Sequence, residues 1–412
     1  MIPLVVLAGL MSSTSDGEAV LKQVKPIHVS NESDRDLEPV RKAIGGARIV
    51  QLGELTHGDG TSFALKTRLV KYLHEKAGFD VLIWESGLLE GEQLDEGLKG
   101  KDPVQDVARK AVFSHWSRSK ESIGVFEYAR QTYASRRPLA MAGFDIQSSG
   151  REGNLVFLRL VDAVGDRALM ERAAEIRALP EGEAKESAAL ELAPALKTAL
   201  AQNRDRLIAS KGKAYLDALQ QKVNSMVAYD QMMKSYRRFQ QVQTGAEFQV
   251  GYNLRERANF ENLKWLVDHR YKGKKVIVWA HNSHVSHNGA TGSFWVAGPN
   301  DLVLDSTGRL LKQAYGARLY TIGFLASGGK WSWMGQPAQD FSEAKPGSIE
   351  ELLGRSGASH AFLDLRPVAK HLSEPMDGYI NRQDPQLNHV VWPKVFDGLI
   401  YIREMKPRTQ LP

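Results

Sequence analysis

The chain contains 11 histidines and no cysteine. Four of the histidines fall in two short polar segments, GELTHGDG (53–60) and WAHNSHVSHNG (279–289). An imidazole titrates near neutral pH and can take a proton from water, and a carboxylate within reach orients the ring and stabilises its cation. For His57 the candidate carboxylates are Glu54, three residues earlier, and Glu85 in VLIWESG. Glu85 has a competing role as an ion-pair partner of Lys66 or Arg68 on the intervening helix. Lys66, nine residues past His57, could instead face the site and hold a substrate oxyanion.

The spacing of three between His281, His284 and His287 invites a metal reading. On a loop, however, it fixes no common face, and the helical His-Glu-x-x-His pattern is absent. The expectation is therefore that His281 or His284 acts as a second acid/base or oxyanion donor, that His287 is exposed, and that no cofactor is needed, with a divalent metal as the alternative. No Gly-x-Ser-x-Gly elbow, phosphate-binding Gly-x4-Gly-Lys loop or dinucleotide fingerprint occurs. The Ser-x-x-Lys match at Ser117 to Lys120 is a pattern common by chance. Without cysteine and without a serine in a nucleophile motif, direct attack by water activated at His57 is favoured over a covalent intermediate. Lys66, Trp116, Asp145 and Arg255 are the residues expected at the substrate surface.

Such groups must be delivered by a scaffold. Short β-branched apolar runs occur at Ala47–Leu52, Asp80–Trp84, Leu139–Gly143, Lys275–Ala280, Leu319–Phe324, Ala361–Leu365 and Leu399–Arg403, separated by longer stretches of helical periodicity. Their near-continuous hydrophobicity implies burial on both faces, so the expected fold is α/β, a mostly parallel central sheet flanked by helices. Glu54 and His57 follow the first strand, Glu85 the second, Asp145 the third, and His281, His284 and His287 the fourth. Ligands of open α/β sheets bind outside the carboxyl ends of the strands, so four strands deliver ionisable groups to one edge. The glycines Gly53, Gly58 and Gly60 allow a tight strand-to-helix turn, and Asp59 or Thr61 can cap the helix that follows.

Residues 151–250 are rich in Ala, Leu, Glu, Lys and Arg and carry no strand signal. They read as an all-helical insertion and possible lid, punctuated by Pro180 and Gly182, between the two parts (31–150 and 251–412) of one catalytic domain. Residues 1–30 form an N-terminal segment. Ile2 to Met11 is apolar but at ten residues too short to span a bilayer. Small residues follow it as in a signal peptide, but the basic segment that should precede one is missing; the expectation is a truncated signal peptide and export, with a buried N-terminal segment as the alternative.

Composition sets outer bounds. At 412 residues, 42% hydrophobic and 25% charged, the chain matches a globular protein and neither a disordered nor a fibrous one. The formal charge of +6, from 54 basic and 48 acidic residues, is spread thinly, so a nucleic-acid partner is not expected. The expected partner is a small molecule.

The ordered series GELTHG, a basic helix (LKTRLVKYL), GFDVLIWESG, AGFDIQ and KVIVWAHNSHV, spanning about Arg48 to Tyr401, resembles the erythromycin esterase family. The resemblance implies a mixed sheet wrapped by helices, a deep cleft, and hydrolysis of an ester, in the best-known members the lactone of macrolide antibiotics. It places the general base on His57, the essential acid on Glu54, a second carboxylate on Glu85, a basic residue on Lys66 and further imidazoles on His281 and His284, and it implies no metal requirement. Where the family usually has Arg-Asp and, three residues after that Asp, Met, this chain reads Arg255, Glu256 and Asn259. The position of Lys66 is often arginine. Two rival readings use the same residues: a metal-dependent hydrolase or protease with Glu54, His57, Glu85 and His281 or His284 as ligands, and a non-catalytic protein binding haem or a saccharide.

Overall fold

The computed structural model describes residues 15–30, 33–288, 304–341, 343–381 and 387–412. The apolar segment Ile2 to Met11 lies outside the described residues. One eight-stranded sheet organises the molecule: β1 (Lys25–Pro26), β2 (Ile49–Leu52), β3 (Phe79–Gly87), β4 (Ala140–Asp145), β5 (Lys275–Trp279), β6 (Leu319–Ala326), β7 (His360–Asp364) and β8 (Gly398–Ile402), in spatial order β1-β7-β8-β6-β2-β5-β3-β4. Neighbours from β8 through β4 pair in parallel, and β7 runs antiparallel to both β8 and β1. All seven apolar runs are strands of this sheet; the two-residue edge strand β1 is the addition that the sequence did not signal.

The parallel strands are buried on both faces, as their unbroken hydrophobicity requires. Alternate residues enter opposite cores: Ile49, Val81, Ile83, Val276 and Val278 pack on one side, and Val50, Leu82, Trp84, Ile277 and Trp279 on the other. The second side is covered by α1 (Gly60–Ala77), α3 (Val104–Ala111) and α5 (Lys120–Thr132). α2 (Leu88–Lys99) lies so close to β4 that a Cβ on Gly91 would stand 1.9 Å from the Gly143 nitrogen.

Only helices occur between Leu158 and Trp265, and they bury Leu196, Leu200, Leu216, Val223 and Met226 in the first core. The last two are the longest, α6 (Lys213–Val242) and α7 (Gly245–Trp265). α7 runs across position 250 without a break and docks on the end of β4: the Asn259 side-chain oxygen accepts from the Ile146 N–H at 3.0 Å, and the Asn262 amide donates to the Phe144 carbonyl at 2.9 Å. Among the described residues, no helix is long and apolar enough to cross a membrane.

Candidate active site

The carboxyl ends of β2, β5, β3 and β4, adjacent in the sheet, bring Glu54, His281, Glu85 and Asp145 to one edge. Glu85 lies where the β3 to β4 register shifts between Trp84 and Gly87. Gly53 and Gly58 serve close approach rather than an unusual backbone conformation, since neither has positive φ. A Cβ on Gly53 would meet the Asn282 side-chain oxygen at 2.0 Å, and one on Gly58 the Ser332 carbonyl at 2.5 Å. Asn282 begins α8 (Asn282–Val285), and its N–H donates to the Glu54 carbonyl at 2.9 Å, locking the two histidine-bearing segments together. Asp59 caps α1 by accepting from the Thr61 N–H at 2.8 Å; burial pushes its carboxyl pKa up to about 7.

Glu54 is fully buried and accepts from four groups: His57 Nδ1 at 2.6 Å, Lys66 Nζ at 2.6 Å, Trp279 Nε1 at 2.9 Å and Trp116 Nε1 at 3.1 Å. These four donors saturate a carboxylate. The other His57 nitrogen, Nε2, lies 4.0 Å from Glu85 Oε1, close enough for one water molecule to contact both. Behind Glu54 the indoles form a dry wall: Trp84 stacks on Trp279 with centroids 4.6 Å apart, and Lys66 Nζ stands 4.4 Å over the Trp279 ring. Burial lowers the Lys66 pKa to about 8 against the opposing pull of Glu54.

A second carboxylate–imidazole group lies across the site. His284 Nδ1 meets Glu256 Oε1 at 2.6 Å and its Nε2 meets Glu85 Oε1 at 3.0 Å. Glu256 is itself held by the Thr307 N–H at 2.8 Å and the Thr307 hydroxyl at 2.9 Å. Burial opposes charge on His284, but the two carboxylates outweigh it and push its pKa up to about 10, so it is an imidazolium at neutral pH. Burial likewise opposes the charge on Glu85, yet His284 and Arg255 hold its carboxyl well below the usual range. Arg255 pairs with Asp145 through both Nε, at 3.2 Å, and a terminal nitrogen, and reaches Glu85 at 3.6 Å.

These groups floor a cavity of about 310 Å³ lined by His57, Glu85, Arg255, His281 and His284 and walled by Phe113, His115, Tyr236, Phe248, Tyr252 and Trp333. Of the residues expected at the substrate surface, Arg255 alone lines it. Lys66 and Trp116 are fully buried behind Glu54 because their N–H groups point at its carboxylate, and Asp145 is buried behind Arg255. Neither Lys66 nor Arg68 pairs with Glu85; Arg68 binds Asp34 and Asp36 instead. His281 lines the cavity, but both its ring nitrogens are engaged: Nε2 with the Leu55 carbonyl at 3.0 Å, and Nδ1 as acceptor from the Ser283 N–H at 3.1 Å. Burial keeps its pKa well below the ordinary value. The His281 backbone N–H donates to Glu85 Oε2 at 2.8 Å. His287 is not exposed: it packs on Thr321 at 2.8 Å, near Asp397, and burial lowers its pKa to about 4. Among the described residues, no group of three or more His, Asp or Glu side chains is arranged to hold a metal ion.

Three participants escaped the sequence reading. Glu256 stood out only as a departure from a motif, and Trp279 as one more apolar strand residue. His115 sits in α4 (Ser114–Ser117), where nothing local marks it; its ring stacks on His57 with centroids 4.5 Å apart and planes within 11°.

The erythromycin esterase family model matches residues 74–405, more than half of the chain. The chain belongs to the erythromycin esterase family. The matched stretch begins after Glu54, His57 and Lys66. YbfO of Bacillus subtilis (strain 168), provisionally named a hydrolase, is 26% identical over 426 residues, covering 94% of this chain and 90% of its own. Erythromycin esterase type II of Escherichia coli is 22% identical over 411 residues, covering 92% and 95%. Among solved structures, a Bacillus cereus protein superposes with TM-score 0.74 at 23% identity over 97% of this chain and 99% of its own. A mutant erythromycin esterase in its open conformation superposes with TM-score 0.72 at 15% identity over 95% and 99%. At these identities the structural matches establish the fold of this family member, and the family points to a hydrolase.

Proposed function

We propose that the protein hydrolyses a carboxylic ester or lactone by direct attack of water, with His57 as general base. The observation that carries this reading is the Glu54–His57 pair: a 2.6 Å bond fixes one ring nitrogen and leaves the other facing the cavity beside Glu85. Water bound between His57 Nε2 and Glu85 gives a proton to Nε2 as its oxygen attacks the substrate carbonyl carbon. Glu54 stabilises the imidazolium so formed, as the orienting carboxylate does in other histidine-based hydrolytic sites. The oxyanion develops in a cavity bordered by the cations of Arg255 and His284, and excluded water strengthens those fields. Collapse of the tetrahedral intermediate breaks the bond to the alkoxy oxygen, which takes the proton back from His57. One water is consumed, and an acid and an alcohol are formed.

His281, with both ring nitrogens occupied and its pKa depressed, orients Glu85 through its backbone rather than shuttling protons. Aromatic walls at Phe113, Phe248, Tyr252 and Trp333 suit a bulky apolar ester, and a macrolide lactone is the specific substrate proposed. Incubation with erythromycin and a panel of simple esters, read by mass spectrometry, is expected to show gain of one water on the substrate and no loss of rate on chelation. A folded enzyme inert toward the whole panel would overturn the ester reading; activity abolished by a chelator and restored by a divalent metal would replace the unaided base with a metal.

A further inference from the structure

A second cavity of about 310 Å³ adjoins the active site, sharing Phe113 as a wall. Three arginines from separate segments converge on it: Arg109 from α3, Arg118 just after α4, and Arg151 from the turn beyond β4. Ser114 and Ser117 also line it, and among the described residues no Asp or Glu does. Ser117 is 1% exposed, and its hydroxyl, like Nε of both Arg109 and Arg118, is out of contact with water and without a hydrogen-bond partner among the described residues. Arg109 is partly engaged, since its terminal nitrogen donates to the Pro412 carbonyl oxygen. No ion pair ties Arg109, Arg118 or Arg151 to an Asp or Glu among the described residues, so the cavity gathers three positive charges without a carboxylate side chain to balance them.

We infer that this cavity binds a small oxyanion, of the phosphate, sulfate or carboxylate type. Arginine presents a planar fork of donors matched to such groups, and the serine hydroxyls add neutral donors beside it. α4 couples the cavity to the catalytic centre. Its Ser114 and Ser117 border the oxyanion cavity, while His115 and Trp116 between them stack on His57 and bond to Glu54. An ion gripped at one side of this single helical turn fixes the residues that hold the base at the other.

Calorimetric titration of the full chain with inorganic phosphate, at ionic strength held constant with chloride, tests this independently of any esterase activity. Saturable uptake of one phosphate is expected, weakened at least about 10-fold in Arg118→Gln and in Arg151→Gln. Arg151 is exposed, so its replacement leaves the fold intact. Arg167→Gln, on a 94% exposed side chain that does not line the cavity, is expected to bind as the parent does. Absence of saturable binding, or binding that survives both cavity substitutions, overturns the site, as does equal weakening in the control. Two sources of the oxyanion are then separable, in an arm that rests on the hydrolase reading. Phosphate raising KM for an anionic ester but not for its neutral counterpart assigns the site to substrate; KM values that are unmoved assign it to a free ion.

Discussion

Two imidazoles in this active site are each held by a buried carboxylate at 2.6 Å, and they differ in what faces the other nitrogen. His57 has Glu54 on one side and only the cavity, with Glu85 at 4.0 Å, on the other. His284 is gripped on both sides, by Glu256 and by Glu85 at 3.0 Å, and its pKa rises to about 10. A base must have a lone pair to offer, and a fixed cation must not. In the mechanism proposed above, one ångström of separation from Glu85 gives the two rings opposite duties: His57 exchanges a proton, and His284 supplies a standing positive charge.

The largest effect that could break this contrast is expected from Glu54→Gln. It removes the carboxylate that stabilises the His57 cation, so kcat should fall on the order of 100-fold or more. It also leaves Lys66 buried without its counter-charge, at a cost of about 3–5 kcal/mol in stability. Loss of activity with no fall in melting temperature would show that Lys66 releases its proton instead.

His284→Gln comes next. Two buried carboxylates lose their shared cation, and a destabilisation of similar size, about 3 kcal/mol, is expected together with a smaller fall in kcat, about 10-fold. The pH dependence sharpens the test. The folded-state pKa of about 10 lies above the ordinary 6.5, so the stability contributed by His284 is complete below pH 6.5 and is lost as pH rises through about 10. The gap in melting temperature between parent and variant should therefore shrink between pH 7 and pH 10. A constant gap would mean that His284 is not charged.

Glu85→Gln keeps the shape and removes the charge that water and His284 both face. A drop in kcat of about 10-fold is expected, with the His284 pKa lowered toward the ordinary range because one of its two carboxylates is gone. The smallest effect is expected from Trp333→Ala. This residue is 39% exposed at the cavity wall, so KM for a bulky ester should rise a few-fold, about 1 kcal/mol of lost contact, with kcat little changed.

The strands and the edge they serve were legible in the sequence because both are local. Unbroken runs such as KVIVW must be buried on both faces, and polar residues at their carboxyl ends must then share one edge. What was not legible is the partner of each charge. Lys66 and Trp116 carry groups suited to a substrate, and only the three-dimensional path of α1 and α4 shows that Glu54 takes them. His281 and His284 stand three apart, one just before and one inside a four-residue helix, yet the first caps that helix with its own ring and the second bridges two carboxylates from distant segments. Glu256 and His115 belong to the site through α7 and α4 packing on strand ends far away in sequence, a relation that no spacing encodes. The helices of 151–250 likewise announced their type but not that α6 and α7 would bring Tyr236, Phe248, Tyr252 and Arg255 to the cavity.

The measurement that bears most directly on the division of labour is ester hydrolysis by His57→Ala and His284→Ala, with and without added imidazole. His57→Ala should melt as the parent does and lose activity on the order of 100-fold or more. Free imidazole entering the vacated cavity should restore a rate that rises with its concentration, and it should do nothing of the kind for His284→Ala. A folded His57→Ala enzyme retaining most of its activity, or rescue seen in the His284 variant instead, would contradict the assignment of His57 as the base.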